Sequence, residues 1–132
     1  MVTQMPTWLW ISDAYWSGPF VARASTSSGR VWAEARAHPV AVSWQPGDGS
    51  TISCGPGTPW QAGAGSAPSS CSHTYRHSSA GTSGLPLSVS VTFEVEGVTS
   101  LGSTVPVGQI TRTSAAVLVQ VTEIQAIETN GR

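Results

Sequence analysis

Trp44-Gln45-Pro46-Gly47-Asp48-Gly49, with His73-Thr74-Tyr75 downstream, is the stretch whose reading decides the fold. Val40-Ala41-Val42-Ser43-Trp44 has the composition of a short strand and runs into a Pro-Gly-Asp-Gly turn. Thr51-Ile52-Ser53-Cys54 leaves that turn, so the pair predicts a hairpin. Gly47 and Gly49 supply positive φ without steric cost, and Asp48 can accept from nearby backbone N–H groups. An inward indole at Trp44 and an inward phenol at Tyr75 would pin the core and one corner of a small antiparallel sandwich.

Working outward, several segments alternate with period two, the strand signature. Leu87 to Glu96 is the cleanest: Leu87, Val89, Val91, Phe93 and Val95 share one face, and the other is Ser, Ser, Thr, Glu, Glu. Val31 to Ala37 places Val31, Ala33, Ala35 and Ala37 opposite Trp32, Glu34 and Arg36. Trp8-Leu9-Trp10-Ile11 reads as an edge strand with Pro6 before it. Thr104 to Thr113 reads as one interrupted strand that Pro106 confines to an edge or a bulge. A last strand is expected from Val117 to Ala126, with its phase blurred at Ile124 and Ile127. No segment carries a capped 3.6-residue pattern. About seven short strands separated by Gly, Pro and Ser predict an all-β sandwich. The expected organisation is one domain: an N-terminal segment, 1–30, whose edge strand packs on a sandwich formed by 31–132.

Composition narrows the function classes. Of 132 residues, only 10% are charged, the net charge is −1 and there is no lysine. The six arginines are scattered, so no positive stripe for a phosphate backbone is expected, and no nucleic-acid partner. Without lysine there is no glycine-rich phosphate loop ending in Lys, so no nucleotide is expected. No apolar run reaches the ~20 residues of a membrane span. The first residues, Met1 to Pro6, lack the pattern of a signal peptide, so an export signal would lie upstream of this chain. Cys54 and Cys71 bracket a loop rich in Pro, Gly and Ser. A disulfide closing it would stabilise the fold by roughly 3 kcal/mol through the unfolded chain, and it implies an oxidising compartment; in a reducing one the same pair would stay as thiols.

Trp44-x-x-Gly47-Asp48-Gly49 followed by His73-x-Tyr75 resembles the PKD (polycystic kidney disease) domain pattern. Met5-Pro6-x-Trp8-Leu9-Trp10, Gly55-Pro56-Gly57-Thr58-Pro59-Trp60 and Val121-x-Glu123-Ile124-Gln125 resemble small secreted actinobacterial proteins that carry a PKD-like domain. The resemblance implies an Ig-like, seven-stranded antiparallel β-sandwich outside the cytoplasm. In it, Trp44, Gly47, Asp48, Gly49, His73 and Tyr75 are structural. Pro46 departs from the pattern, standing where a large apolar residue is usual, and predicts a tighter or shifted turn.

The chemistry-bearing residues have plainer readings. Cys54, Cys71, His73 and His77 imitate a zinc set, but the cysteines are too widely spaced, and His73 has a structural place beside Tyr75. Asp48 and His73 suggest a hydrolytic triad, yet no serine sits in a nucleophile elbow. Glu94 and Glu96 point the same way along one strand, whereas a glycosidase needs carboxylates across a cleft. Asp13, Glu123 and Glu128 are isolated, so neither calcium nor any other metal or cofactor is expected, although a single weak calcium site stays open. Of the six tryptophans, most belong in a core. Trp32, on a polar strand face, and Trp60, inside the disulfide loop, are the candidate binding residues. Either they present indoles to a sugar or a protein, or Trp60 folds back over one end and Trp32 packs under the N-terminal segment. The expectation is a non-catalytic structural or interaction module, extracellular or in the cell envelope, with a protein or envelope-glycan partner. A carbohydrate-binding module using Trp32 and Trp60, and a hydrolase, are the alternatives.

Overall fold

The structure is a computed structural model and describes residues 1–65 and 67–123. It is all-β among those residues: eight strands and one turn of 310 helix, Asp13–Tyr15. The strands are β1 (Pro6–Trp8), β2 (Phe20–Ser25), β3 (Trp32–Gln45), β4 (Ile52–Cys54), β5 (Ser72–Thr74), β6 (Leu85–Thr99), β7 (Thr104–Thr113) and β8 (Val117–Val119).

Two long strands organise everything else. β3 and β6 lie antiparallel from Ala33↔Thr99 to Gln45↔Ser88. On the outer side of β3, β2 pairs with its first half and β4 with its last residues, Val42↔Cys54 to Trp44↔Ile52. On the outer side of β6, β7 covers the C-terminal two thirds and β8 the start. The result is a six-stranded antiparallel sheet about four strands wide. β1 and β5 form a separate two-stranded sheet, Pro6↔Thr74 to Trp8↔Ser72.

The sequence breaks β3 into two strands at His38-Pro39, but the structure keeps it whole. A register shift between Pro39 and Ala41 absorbs the proline, and it falls in the gap between the end of β2 and the start of β4, where the outer ladder is already interrupted. The bulge also restores phase, so that Ala33, Ala35 and Ala37 stand on the same face as Val42 and Trp44. The sequence signals no strand at β2, which falls in the N-terminal segment 1–30. After Phe20 and Val21 its alternation, Ala22 and Ala24 against Arg23 and Ser25, is carried by residues of weak strand preference. Of the expected terminal strand, Val117–Val119 is formed, and its part from Ile124 onward lies outside the described residues.

The core lies at one end. Leu9, Val42, Trp44 and Cys71 are buried together, with Ile11, Trp16, Ile52, Cys54, Leu87, Val89 and Val91 packed around them. The covering layer is therefore β1, β5 and the chain from Leu9 to Trp16. Backbone bonds seat it: Leu9 N–H donates to Cys71 (2.9 Å) and Ile11 N–H to Pro56 (2.9 Å). The Trp8 indole N–H donates to the Ala67 carbonyl in the disulfide loop, 2.8 Å. Gly57 makes the Ile11–Pro56 approach possible, because a Cβ there would collide with the Leu9 carbonyl and the Trp10 backbone.

Candidate functional site

Trp44 and Tyr75 are both buried, Trp44 in the apolar core cluster and Tyr75 outside it, beneath the 46–49 turn. Tyr75 is 1% exposed, and its hydroxyl donates to the Pro46 carbonyl at 3.0 Å. Pro46 itself is fully buried. Gly47, at φ +96°, brings the turn so close to Pro86 that a Cβ would lie 2.6 Å from its carbonyl oxygen. The turn and the start of β6 are thus pressed together, and Tyr75 holds the turn from below.

Asp48 joins the same corner from outside. Its carboxylate accepts from Ser50 N–H (3.1 Å) and pairs with His73 Nε2 (2.7 Å). Burial disfavours its charge, but the bonds from His73 and Ser50 outweigh that and hold the carboxyl below its ordinary value. The His73 ring meets Tyr75 edge to face at 4.7 Å. Burial, and then the Asp48 charge, push the Tyr75 phenol up to about 12. The Asp48–His73 pair therefore ties β5 to the turn. Cys54 and Cys71 form a disulfide, Cα to Cα 5.7 Å, so neither is available as a thiolate ligand to a metal.

Trp32 and Trp60 are not brought together. Trp32 is half-buried at the far end of β3, under the Arg23 guanidinium, 4.2 Å from the ring centroid. It thus packs against the N-terminal segment, on β2. Trp60 is 50% exposed in the disulfide loop and does not close over the sandwich. Nor are most tryptophans core residues: Trp44 alone of the six is buried, at 8% exposure, because the enclosed core occupies only one end of the sheet.

The feature that sequence reasoning missed is the rest of the sheet. Beyond Phe93 the core-facing side continues with no core residue packed over it among the described residues. Phe20 stacks edge to face on Phe93 at 5.8 Å. Past them, β2 and β3 present Ala22, Ala24, Ala33 and Ala35, all exposed. β6 and β7 present Val95 and Gly97 beside Val105, Val107 and Ile110, which are 54%, 68% and 47% exposed. Arg112 is the one charged side chain on this face of the four strands. The reverse face is polar and internally paired. Glu34 accepts from Arg36 (2.8 Å) and Arg23 (3.3 Å), and His38 meets Glu96 at 3.3 Å.

With ~4.8 Å between strands and ~3.3 Å per residue, four strands over seven residues give an apolar face of about 440 Å² in projection. Where the covering layer stops, Ile11 and Tyr15 stand over Val89, Val91, Phe93 and Arg112 around a cleft of about 510 Å³. At the opposite tip, in the β6–β7 turn, Leu101 is 87% exposed beside Ala33 and Thr99. A reading of alternation finds that one face of each strand is apolar; it does not find where the cover ends.

No helix among the described residues is long and apolar enough to cross a membrane. Comparison with family models, with curated proteins and with solved structures finds no match.

Proposed function

We propose that this chain is a non-catalytic contact module of the extracellular space or cell envelope, a lopsided variant of the Ig-like, PKD-type sandwich, and that it works through its uncovered apolar sheet face. The observation that carries the reading is the asymmetry of the overhanging half of the sheet. One face is knit by Arg23, Glu34, Arg36, His38 and Glu96. The other is apolar, almost uncharged and open to solvent. Contiguous apolar patches of several hundred Å² mark surfaces that bind. The disulfide and the low charge support an oxidising, extracytoplasmic setting. The buried Tyr75 corner, the Gly47 turn and the Asp48–His73 pair support the PKD-type assignment, and all three serve the fold.

A glycan-binding role keeps one observation in its favour, the exposed indole of Trp60. Two measurements separate the readings. The fluorescent apolar probe bis-ANS should bind the folded protein, and Ala35→Glu, in the middle of the face, should abolish that binding. Retention on insoluble cell-wall polysaccharide that Trp60→Ala removes, with no bis-ANS binding, would replace the proposal with the glycan reading.

A further inference from the structure

Resting on that reading of the sheet face, we infer that its occupant is a second copy of this chain, packed face to face about a twofold axis that crosses the strands, with Leu101 of each copy seated in the other's cleft. A sheet with one apolar face is stable when a second layer covers it. Here the chain covers only one end, and the cover itself restricts how a partner can approach. Were two copies related by an axis along the strands, their covering layers would occupy the same space. An axis across the strands instead lays each overhang on the other and carries each covering layer past the partner's tip.

That arrangement makes a specific match. On β6 the overhang runs from Phe93 to Thr99, so its middle is Glu96. Leu101 lies as far beyond that middle as Val91 lies before it. Val91 is in the floor of the cleft whose walls are Ile11, Tyr15 and Phe93. Both also adjoin β6: the cleft lies between it and β7, and Leu101 stands in the turn that leaves it, beside the ends of β2 and β3. Rotation about the crossing axis therefore brings the most exposed large apolar side chain of the described residues toward the apolar cleft of the same face. A patch that is complementary to itself in this way is what a twofold interface requires.

Charge and size agree. Arg112 is the face's one charge, and it stands at the cleft rim, away from the axis. Near the axis the residues are Ala35, Ala37, Val95 and Gly97, small enough for close approach of two sheets. Two faces bury about 900 Å² in projection, before the two Leu101–cleft contacts, which is near but below the ~1,200 Å² lower limit of stable interfaces. A reversible dimer follows, not an obligate one.

Sedimentation velocity on the oxidised protein, from micromolar to about millimolar concentration, is the test. The wild type should pass from monomer to dimer. Leu101→Asp lies in an exposed turn and leaves the core untouched. It should weaken the dimer at least about thirtyfold, since two contacts are lost per dimer. Ala35→Glu and Ala35→Arg, each confirmed folded by near-UV circular dichroism, should each be monomeric, and an equimolar mixture should dimerise. A folding defect in either variant could not be rescued by mixing. Val21→Glu, on the polar face, should dimerise like the wild type.

A wild type that stays monomeric throughout overturns the inference. If it then still binds bis-ANS in an Ala35-dependent way, the face remains a docking surface for another partner; if it binds neither, the proposed function falls as well. A monomer that co-sediments with phosphatidylcholine vesicles would assign the face to lipid. A dimer indifferent to Leu101→Asp, or not restored by mixing the two Ala35 variants, would overturn the crossed arrangement.

Discussion

Replacing Tyr75 by Phe removes one oxygen atom from the best-packed corner of the molecule, and the consequences can be worked from the structure. The ring stays, so no cavity opens and the edge contact with His73 survives. What is lost is the 3.0 Å bond to the Pro46 carbonyl. Pro46 is fully buried, and no other donor reaches its oxygen among the described residues. A buried acceptor left bare costs about 2 kcal/mol. That is a large share of the ~5–15 kcal/mol that holds a domain together. The alkaline limb should change as well. In the native state the phenol is raised from 10.0 to about 12, so between those values unfolded Tyr75 has lost its proton while native Tyr75 keeps it. Unfolding then releases a proton, and stability falls as pH rises, by up to ~1.4 kcal/mol per pH unit. The contribution is fully present below pH 10 and is lost by about pH 12, roughly 3 kcal/mol in all. The chain has no lysine, which keeps that window unusually free of other titrations. Urea denaturation followed by near-UV circular dichroism, at pH 7 and in steps from pH 9 to 12.5, gives both quantities. The variant should lose about 2 kcal/mol at pH 7 with an unchanged denaturant slope, and its curve should be the flatter above pH 10. Equal stability at pH 7 together with an unchanged alkaline limb would refute the corner as described.

The neighbouring residues give sharper contrasts. Gly47→Ala should cost well over 2 kcal/mol, because positive φ and a collision with Pro86 add. Gly49→Ala, at φ +91° with nothing within 4 Å, should cost only about 1 kcal/mol; equal losses in urea melts would contradict the close approach. Asp48→Asn should remove an acid-sensitive increment. The native carboxyl titrates below its ordinary value of 3.8, so its contribution is complete above about pH 4 and disappears as pH falls through the lower native value. The wild-type melting temperature should therefore drop more steeply than the variant's below pH 4. Reducing the disulfide, or replacing both Cys54 and Cys71 by Ala, should cost roughly 3 kcal/mol from the closed loop. The double variant should lose somewhat more, since Cys71 is 2% exposed in the core, and calorimetry would measure both.

What could be read from the sequence follows from how local each signal is. The turn at 46–49, the hairpin it makes and the strand from Leu87 to Glu96 are set by neighbours within ten residues. Alternating Leu, Val and Phe against Ser, Thr and Glu leaves one pleated solution, and the structure adopts it. Pro106 fits its edge strand because β7 has no partner on its outer side among the described residues. β2 was invisible for the converse reason. Alanine and arginine carry little strand preference alone, and Phe20–Ser25 becomes a strand through its ladder to β3. The uninterrupted β3 was hidden by Pro39, whose cost depends on which neighbouring strand happens to be missing beside it.

The extent of the covering layer is the least local property of all, and it separates fold from function here. Along β6, Val89, Val91, Phe93 and Val95 look equivalent in sequence. Yet Val89 and Val91 pack against the enclosed core, Phe93 only lines the cleft at its edge, and Val95 lies past it. The difference depends on a segment some eighty residues away and on how far it reaches. The composition of the open stretch nonetheless carries information. Where the sheet is enclosed, its inner face is Trp, Val and Leu; where it is open, β2 and β3 change to alanine. An alanine face costs little when wet, because each exposed methyl forfeits far less burial energy than a leucine would. It can therefore stay in solution alone and still gain from being covered, which is the property a reversible contact surface needs.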